Sequence, residues 1–237
     1  MRIVLDVENT VTKRNGKTHM DPFEPTNFLV QVGTKDVDSN ERHLLTFDHL
    51  EYSDHTGVNA ELLQSLLDKT TLLIMHNAQH DLMWLWASGF KYDGEIYDTM
   101  LAEYILQRGQ KQSVSLLACA ERRNLNFQKD DTLKNYFKEG YNTNEIPLNE
   151  LTHYLGCDID TTTELFHAIN SEGYSQSCSN GMDRVRAITC EVCKTLTRMY
   201  MRGFRVDRIA LQRVREEFEQ EKADIERRLV TQIRDLM

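Results

Sequence analysis

The chain has 237 residues, of which 40% are hydrophobic and 27% are charged. This length suits one substantial domain with an appendage, and the composition is ordinary for a soluble globular protein. No apolar run approaches the roughly 20 residues that span a bilayer, and the N-terminus lacks the apolar core of a secretion signal. Five cysteines without a regular framework suit a reducing compartment. We therefore expect a cytoplasmic protein with no membrane partner.

The net charge of −9 is unevenly distributed along the chain. Residues 181–237 carry 13 Lys and Arg against 10 Asp and Glu, so the first 180 residues carry 15 against 27. This balance excludes a broadly basic coat for nucleic acid. Clustered carboxylates attract divalent cations, so any contact with nucleic acid would be local.

The N-terminal third predicts a small antiparallel meander. Apolar and β-branched runs indicate strands at residues 2–8, 27–33 and 42–47. Between the first two, Asn15-Gly16 predicts a hairpin turn, and two prolines exclude a helix.

The rest of the chain is mostly helical in pattern, with one further buried strand at 71–75. A polar stretch at 171–181 predicts a domain boundary. Helices are predicted at 59–68, at 79–88, twice between 99 and about 120 with a break near Gly109, and at 131–139, 148–170, 183–201 and 208–235. The order predicts an α/β domain with a mixed sheet over 1–175, followed by a helical extension over 181–237.

Three short motifs carry acidic residues. Asp6 and Glu8 end the first strand, and residues two apart in a strand share a face. Asp81 follows the strand at 71–75, four residues after Asn77. Tyr154 and Asp158 are one helical turn apart. Taken singly, the motifs also fit a solvated strand end, a helix-capping turn and a surface pair.

Together, four carboxylates can hold two divalent ions that promote phosphodiester hydrolysis. Carboxylate oxygens suit Mg²⁺ or Mn²⁺ better than zinc. The phenol of Tyr154, beside Asp158, could hold an attacking water. Asp160 competes with Asp158, although it is six residues from Tyr154.

The three motifs, in this order, resemble the Exo I, Exo II and Exo III motifs of the DEDD exonuclease superfamily, in its DEDDy branch. The resemblance implies an RNase H-like mixed sheet flanked by helices and a 3′-5′ exonuclease. It implies that Asp6, Glu8, Asp81 and Asp158 bind two Mg²⁺ or Mn²⁺ ions. It assigns Tyr154 to orienting the water. Substrate contacts are expected from Asn77, Asn9 and Thr10.

Two segments resemble family A DNA polymerases: Asp98-Thr99-Met100, and RGFRVDR at 202–208, which is similar to the junction leading to a polymerase thumb. The run at 21–30 resembles bacteriophage members, which would place the protein in a host cytoplasm. The implied role is proofreading on DNA 3′ ends, preferably single-stranded. The implied partner is a polymerase domain, in the same chain or as a separate subunit.

Two other functions remain open. DEDDy enzymes that trim RNA share these acids, and an exonuclease fold can also be a catalytically silent module of a polymerase. Cys190 and Cys193 form a C-x-x-C in a helical pattern with no second ligand pair nearby, so helix packing is the preferred interpretation. Capping or core roles are preferred for His76 and His80.

Overall fold

The computed structural model describes residues 1–125, 132–172 and 181–236. It contains a five-stranded mixed sheet, two two-stranded ribbons and eight α-helices within those ranges. The strands are β1 Arg2–Asn9, β2 Thr12–Arg14, β3 Lys17–His19, β4 Leu29–Asp36, β5 Arg42–Thr46, β6 Asp48–His49, β7 Tyr52–Ser53, β8 Leu72–Met75 and β9 Glu95–Asp98. The helices are α1 Val58–Lys69, α2 Ala78–Ala87, α3 Thr99–Leu106, α4 Leu116–Arg122, α5 Thr132–Glu139, α6 Leu148–Glu172, α7 Gly181–Arg202 and α8 Arg208–Leu236.

The main sheet has the strand order β5-β4-β1-β8-β9, with β1 at its centre. β4 pairs antiparallel with both β1 and β5, which confirms the predicted meander. β8 pairs parallel with β1, and β9 parallel with β8. The predicted mixed sheet flanked by helices is therefore confirmed. β9 was not predicted from the sequence, because its four residues begin with an exposed glutamate and show no alternation.

Both faces of β1 are covered by helices. Ile3, Leu5 and Val7 pack in one core cluster with side chains of α1 and α2. Val4 packs in a second cluster with residues of α3, α4 and α6. Because β1 is buried on both faces, its sequence is a short apolar run, and this run is the pattern from which the strand was predicted. Since side chains alternate, Asp6 and Glu8 follow Val4 on the α6 face.

Gly33 of β4 allows α6 to lie close to the sheet. It pairs directly with Asp6. A Cβ at this position would lie 2.9 Å from Ile159 Cγ1 and 3.0 Å from Leu155 Cγ. Polar contacts fasten α6 on either side: Gln31 Nε2 donates to Thr152 Oγ1 at 2.8 Å, and Lys35 Nζ to Asp160 Oδ1 at 2.8 Å. The missing side chain thus sets the distance between α6 and β1.

The carboxylate of Asp98, at the end of β9, accepts hydrogen bonds from the starts of two helices, α2 and α3. Its buried carboxylate caps α3, accepting from the N–H groups of Met100 at 2.9 Å and Leu101 at 3.2 Å. It also accepts from the N–H groups of Asn77 at 3.2 Å and Ala78 at 2.9 Å, at the start of α2. These four donors would otherwise be unsatisfied helix-terminal groups. Asp98 therefore fixes the orientation of the segment that carries Asp81.

The chain divides into two compact units, Met1–Met201 and Arg202–Met237. In the first, α7 packs on the sheet domain: Cys190 is buried in the core, and Lys194 Nζ donates to the Gly94 carbonyl at 3.0 Å. The second unit contains α8, whose exposed surface carries ion pairs one turn apart such as Arg215–Glu219. Residues 173–180 of the predicted boundary lie outside the described residues, and the division into 1–175 and 181–237 stays a prediction. No helix within the described ranges is long and apolar enough to cross a membrane.

We predict opposite effects for two glycine-to-alanine substitutions at the interface of α6 and the sheet. Gly33→Ala should lower the free energy of unfolding by about 1–3 kcal/mol, because its Cβ overpacks against Leu155 and Ile159. Gly156→Ala, inside α6, should raise it by up to about 1 kcal/mol, because nothing lies closer than 3.4 Å to the new Cβ and alanine favours the helix. Urea unfolding of both variants measures the difference. A Gly33→Ala variant as stable as the parent would contradict the close approach.

Candidate carboxylate site

Three of the four predicted carboxylates meet at one end of the sheet. Oxygen atoms of Asp6, Glu8 and Asp158 all lie within 4.8 Å of one another, and each side chain is partly exposed. Asp6 and Glu8 come from β1, while Asp158 comes from the middle of α6. The sequence separation between strand and helix is about 150 residues, so only the tertiary fold brings them together.

The electrostatics of this cluster disfavour full ionisation. Burial, then the charge of Asp158, raises the pKa of Asp6 to about 8. Burial raises the pKa of Asp158 to about 6, although the hydrogen bond from Tyr154 opposes the shift. Burial and the charges of Asp6 and Asp158 also raise the pKa of Glu8 well above its usual value. Like charges this close need a proton or a cation between them.

Asp81 lies beside the cluster and is not one of its three members. It is buried in the first turn of α2, and its Oδ1 accepts the Val7 N–H at 3.2 Å. β8 pairs with β1 only as far as Val4, so Val7 has no strand partner on this edge. Burial, followed by the charges of Asp6 and Asp98, raises the pKa of Asp81. The fourth acid thus borders the site from the α2 side.

Tyr154 is positioned as the sequence predicted, one turn before Asp158 on α6. Its hydroxyl donates a hydrogen bond to the Asp158 carboxylate, and burial and that carboxylate raise its pKa. Its ring packs in a third apolar cluster with Leu133, Tyr136 and Phe137 of α5. The competing acid, Asp160, pairs instead with Lys35 at 2.8 Å and Arg42 at 3.0 Å. The two acids of α6 therefore have separate surroundings.

The expected substrate residues have mixed placements. Asn77 is exposed at the start of α2, with a left-handed φ of 74°, and it makes no capping hydrogen bond through its side chain. Thr10 is buried, and its Oγ1 accepts the Phe28 N–H at 2.8 Å. Asn9 is also buried, and its Nδ2 donates to the Thr10 carbonyl at 2.7 Å. Only Asn9 of these three lines the cavity described next.

A cavity of about 450 Å³ opens over the carboxylates. Asp6, Glu8, Tyr154 and Asp158 line it together with side chains that the sequence did not single out, among them Leu116, Leu117, Lys134 and Phe137. His80, for which a capping or core role was expected, also lines it. The apolar side chains of Leu116 and Leu117 on α4 and of Phe137 on α5 suit the faces of a base or sugar. The one available sequence signal was Lys134 beside apolar residues on a short amphipathic helix.

His80 is held in a defined tautomer by Asn9. Because Asn9 Nδ2 donates to backbone carbonyls, its Oδ1 is the acceptor for His80 Nε2 at 2.9 Å. A neutral His80 then carries its proton on Nε2 and keeps Nδ1 as an acceptor. Burial lowers the pKa of His80, which favours this neutral form. By contrast, His76 bonds to Thr99 Oγ1 at 2.9 Å and the Val114 carbonyl at 3.0 Å, in a structural role.

The carboxylate cluster fits a hard divalent cation. Oxygen ligands from three acids, partly buried and mutually repelling, form the donor set that Mg²⁺ and Mn²⁺ prefer. The C-x-x-C motif does not compete with it. Cys190 is buried, and within the part of the chain that the structure describes, neither Cys190 nor Cys193 belongs to a cluster of potential metal ligands.

Comparisons with known proteins identify the family and the fold of the chain. Residues 18–173 match the family model described as 3′-5′ exonuclease. No curated protein matches the chain. Among solved structures, Brucella melitensis NrnC bound to pGG is 14% identical with a TM-score of 0.59, over 87% of this chain and 88% of that one. NrnC with bound Mg²⁺ is 15% identical with a TM-score of 0.58, over 87% and 89%.

A third structure, described as the apo form of a nuclease, is 13% identical with a TM-score of 0.61, over 87% of this chain and 88% of that one. At such identities the likeness concerns the fold alone. It confirms the expected RNase H-like exonuclease fold.

We predict that the metal-free protein loses stability as the pH rises. The folded-state pKa of Asp6, about 8, and that of Asp158, about 6, lie above their unfolded values of about 4. Their contribution is therefore complete below pH 4 and lost as the pH rises through 6 and 8. In EDTA, the free energy of unfolding should fall by about 3 kcal/mol per pH unit between pH 4 and 6, where both groups contribute, and by about 1.4 kcal/mol per pH unit between pH 6 and 8, where Asp6 alone contributes.

Asp6→Asn should flatten this pH dependence, because the amide has no proton to lose. Asp48→Asn, at an exposed position on β6, is the matched control and should keep the parental slope. Chemical unfolding at pH 4, 6 and 8 measures all three proteins. Parallel curves for the parent and Asp6→Asn would contradict the repulsion inferred for the cluster.

Proposed function

Because the chain belongs to the 3′-5′ exonuclease family, we propose that it removes nucleotides from DNA 3′ ends by phosphodiester hydrolysis that depends on two divalent metal ions. The observation that supports the site is the convergence of Asp6, Glu8 and Asp158 within 4.8 Å beside Tyr154. We assign these three acids to metal binding, with Asp81 as the fourth ligand. Mg²⁺ and Mn²⁺ fit the oxygen ligands.

The roles of the protein side chains follow from their positions. Bound divalent ions polarise the phosphoryl group and make a nucleophile available near neutral pH. Tyr154, whose hydroxyl is fixed by Asp158 and whose ring is fixed by α5, orients the attacking water. Leu116, Leu117 and Phe137 pack against the terminal nucleotide, and Asn9 acts through His80. Asn77, exposed at the start of α2, is assigned to contact with the substrate end. Thr10 supports the strand end through its bonds to Phe28.

The proposed biological role is proofreading for a family A DNA polymerase, as a domain of the same chain or as a separate subunit. The segments at 98–100 and 202–208 support this role by their resemblance to such polymerases. A single-stranded 3′ end is the preferred substrate, because the cavity of about 450 Å³ accommodates about one nucleotide.

A specific observation also favours an exoribonuclease. Brucella melitensis NrnC, a structure of similar fold, is bound to pGG. The match spans 87% of this chain and 88% of that one. The carboxylates act on the phosphate, which DNA and RNA share, so they do not distinguish the two substrates. Any discrimination depends on the groups around the sugar, where His80 Nδ1 offers an acceptor.

We predict that Asp158→Asn abolishes hydrolysis and Asp160→Asn does not. With Mg²⁺ or Mn²⁺ present, the first should slow the release of mononucleotides from single-stranded DNA by at least about 100-fold, since it removes a metal ligand. The second is the same chemical change on the same helix, and the native Asp160 pairs with Lys35 and Arg42 outside the cluster. Tyr154→Phe should slow the reaction by about tenfold, the loss of one oriented hydrogen bond.

Calorimetry with Mn²⁺ gives a readout that does not require turnover. The parent should bind two ions per chain, and Asp158→Asn should bind them more weakly, while Asp160→Asn should bind as the parent does. An active Asp158→Asn variant, or a parent that binds no Mn²⁺ at millimolar concentration, would contradict the assignment. The latter result would favour a catalytically silent module.

We predict that DNA is digested at least about tenfold faster than RNA of the same sequence, a preference of about 1.4 kcal/mol. Single-stranded 12-residue DNA and RNA oligonucleotides, labelled at the 5′ end, are digested side by side with Mg²⁺. The ratio of kcat/KM values measures the preference. A faster reaction on RNA would replace the proofreading role with the exoribonuclease and leave the metal site unchanged.

A further inference from the structure

The hairpin formed by β2 and β3 concentrates positive charge in an acidic part of the chain. Residues 12–19 contain Lys13, Arg14 and Lys17 and no Asp or Glu. All three cations are exposed. Within the described part of the molecule, neither Lys13 nor Lys17 forms an ion pair, and Arg14 has only a long one to Glu24 at 3.6 Å. The first 180 residues as a whole carry 15 basic against 27 acidic residues, so this composition is local.

The base of the hairpin belongs to the cavity over the carboxylates. Val11, just before β2, and Met20, just after β3, both line that cavity beside Asp6 and Glu8. The base is also anchored to its surroundings: the Val11 N–H donates to Asn142 Oδ1 at 2.9 Å, and the Met20 carbonyl accepts from Trp84 Nε1 at 3.1 Å. The hairpin therefore extends from the rim of the site and starts from a fixed position.

The pairing within the hairpin places like charges opposite each other. Arg14 pairs directly with Lys17 across a two-residue turn. Asn15 and Gly16 have φ values of 53° and 71°, as tight hairpin turns require. Like charges directly opposite each other destabilise an antiparallel pair. An anion that binds both side chains would remove this repulsion. Among the described residues, the carboxylate paired with either side chain is that of Glu24, 3.6 Å from Arg14.

We propose that the β2–β3 hairpin binds the phosphodiester backbone of the substrate strand on the 5′ side of the nucleotide being removed. This inference rests on the proposed function, because that function places the 3′ end in the cavity. A three-residue strand extends about 10 Å, and a stacked strand rises about 3.4 Å per nucleotide. The cations near the turn thus contact phosphates roughly three nucleotides from the 3′ end. The same contacts are available to DNA and RNA.

The test compares two double variants that each remove two positive charges from exposed positions. Lys13→Gln with Lys17→Gln changes the hairpin, and Lys69→Gln with Lys91→Gln is the control. Each protein digests a 12-residue single strand and a dinucleotide, as DNA and as RNA, at several salt concentrations with Mg²⁺. Binding of the same 12-residue strands is followed by fluorescence anisotropy in EDTA, where no cleavage occurs.

The hairpin variant should show a KM for 12-residue strands that is about 3- to 10-fold higher at low salt, with kcat unchanged. The slope of log KM against log salt should fall by about 1.4, which is about 0.7 for each phosphate contact removed. The dinucleotide is too short to reach the hairpin, so its kinetics should not change. The control variant should match the parent on every substrate. In the hairpin variant, KM should rise by the same factor for DNA and for RNA.

Other results would overturn the inference in distinguishable ways. If the parent cleaves the strand and both double variants have the same salt slope, the hairpin does not bind the backbone, while the nuclease assignment stands. If the hairpin variant raises KM for the dinucleotide as much as for the 12-residue strand, the substitutions act by disturbing the structure, and the inference is wrong. If the parent cleaves nothing, the proposed function is wrong. Anisotropy then decides the inference: weaker binding by the hairpin variant alone supports it, and equal binding by both variants overturns it.

Discussion

Mutual repulsion among Asp6, Glu8 and Asp158 is the constraint on which the rest of the site depends. Three carboxylates that share a space 4.8 Å across cannot all be charged without a compensating cation. Burial strengthens the repulsion, and the pKa of each of the three is raised. The scaffold must therefore hold the side chains together against their own electrostatics whenever the cation is absent.

The scaffold achieves this by placing one strand and one helix at a short, fixed distance. β1 is buried on both faces. At Asp6 and Glu8 it pairs with β4 along one edge, and on the other edge the Val7 N–H donates to Asp81, so the two acids have little freedom to move apart. α6 approaches because Gly33, directly opposite Asp6, has no side chain. The bond from Gln31 to Thr152 and the pair of Lys35 and Asp160 hold α6 at neighbouring levels. The stability of these apolar and polar contacts offsets the strain that the carboxylates introduce.

Local periodicity explains which parts of this arrangement were predictable from sequence. Alternation along a strand was sufficient to place Asp6 and Glu8 on one face, and helical spacing was sufficient to join Tyr154 to Asp158. Long-range geometry was not readable. Nothing local to Asp81 shows that it accepts the Val7 N–H, because that bond arises where β8 ends before β1 does. Nothing local to Asn9 shows that its amide donates to a backbone carbonyl and accepts from His80. The latter contact joins residues 71 positions apart.

The acidic site also has to attract a polyanion. The carboxylate cluster and the cations of the β2–β3 hairpin together offer a physical solution. Divalent ions held by the carboxylates would reverse the sign of the potential at the scissile phosphate. They act only at short range, since interactions between exposed charges are screened beyond about 8 Å at physiological ionic strength. The more distant phosphates of a strand would still meet an acidic surface. Cations on a hairpin anchored at the rim, through Val11 and Met20, fall in the range that the metal ions do not cover. Under the proposed function, the metal ions would determine where the strand is cut, and the hairpin would contribute to how long the strand stays bound.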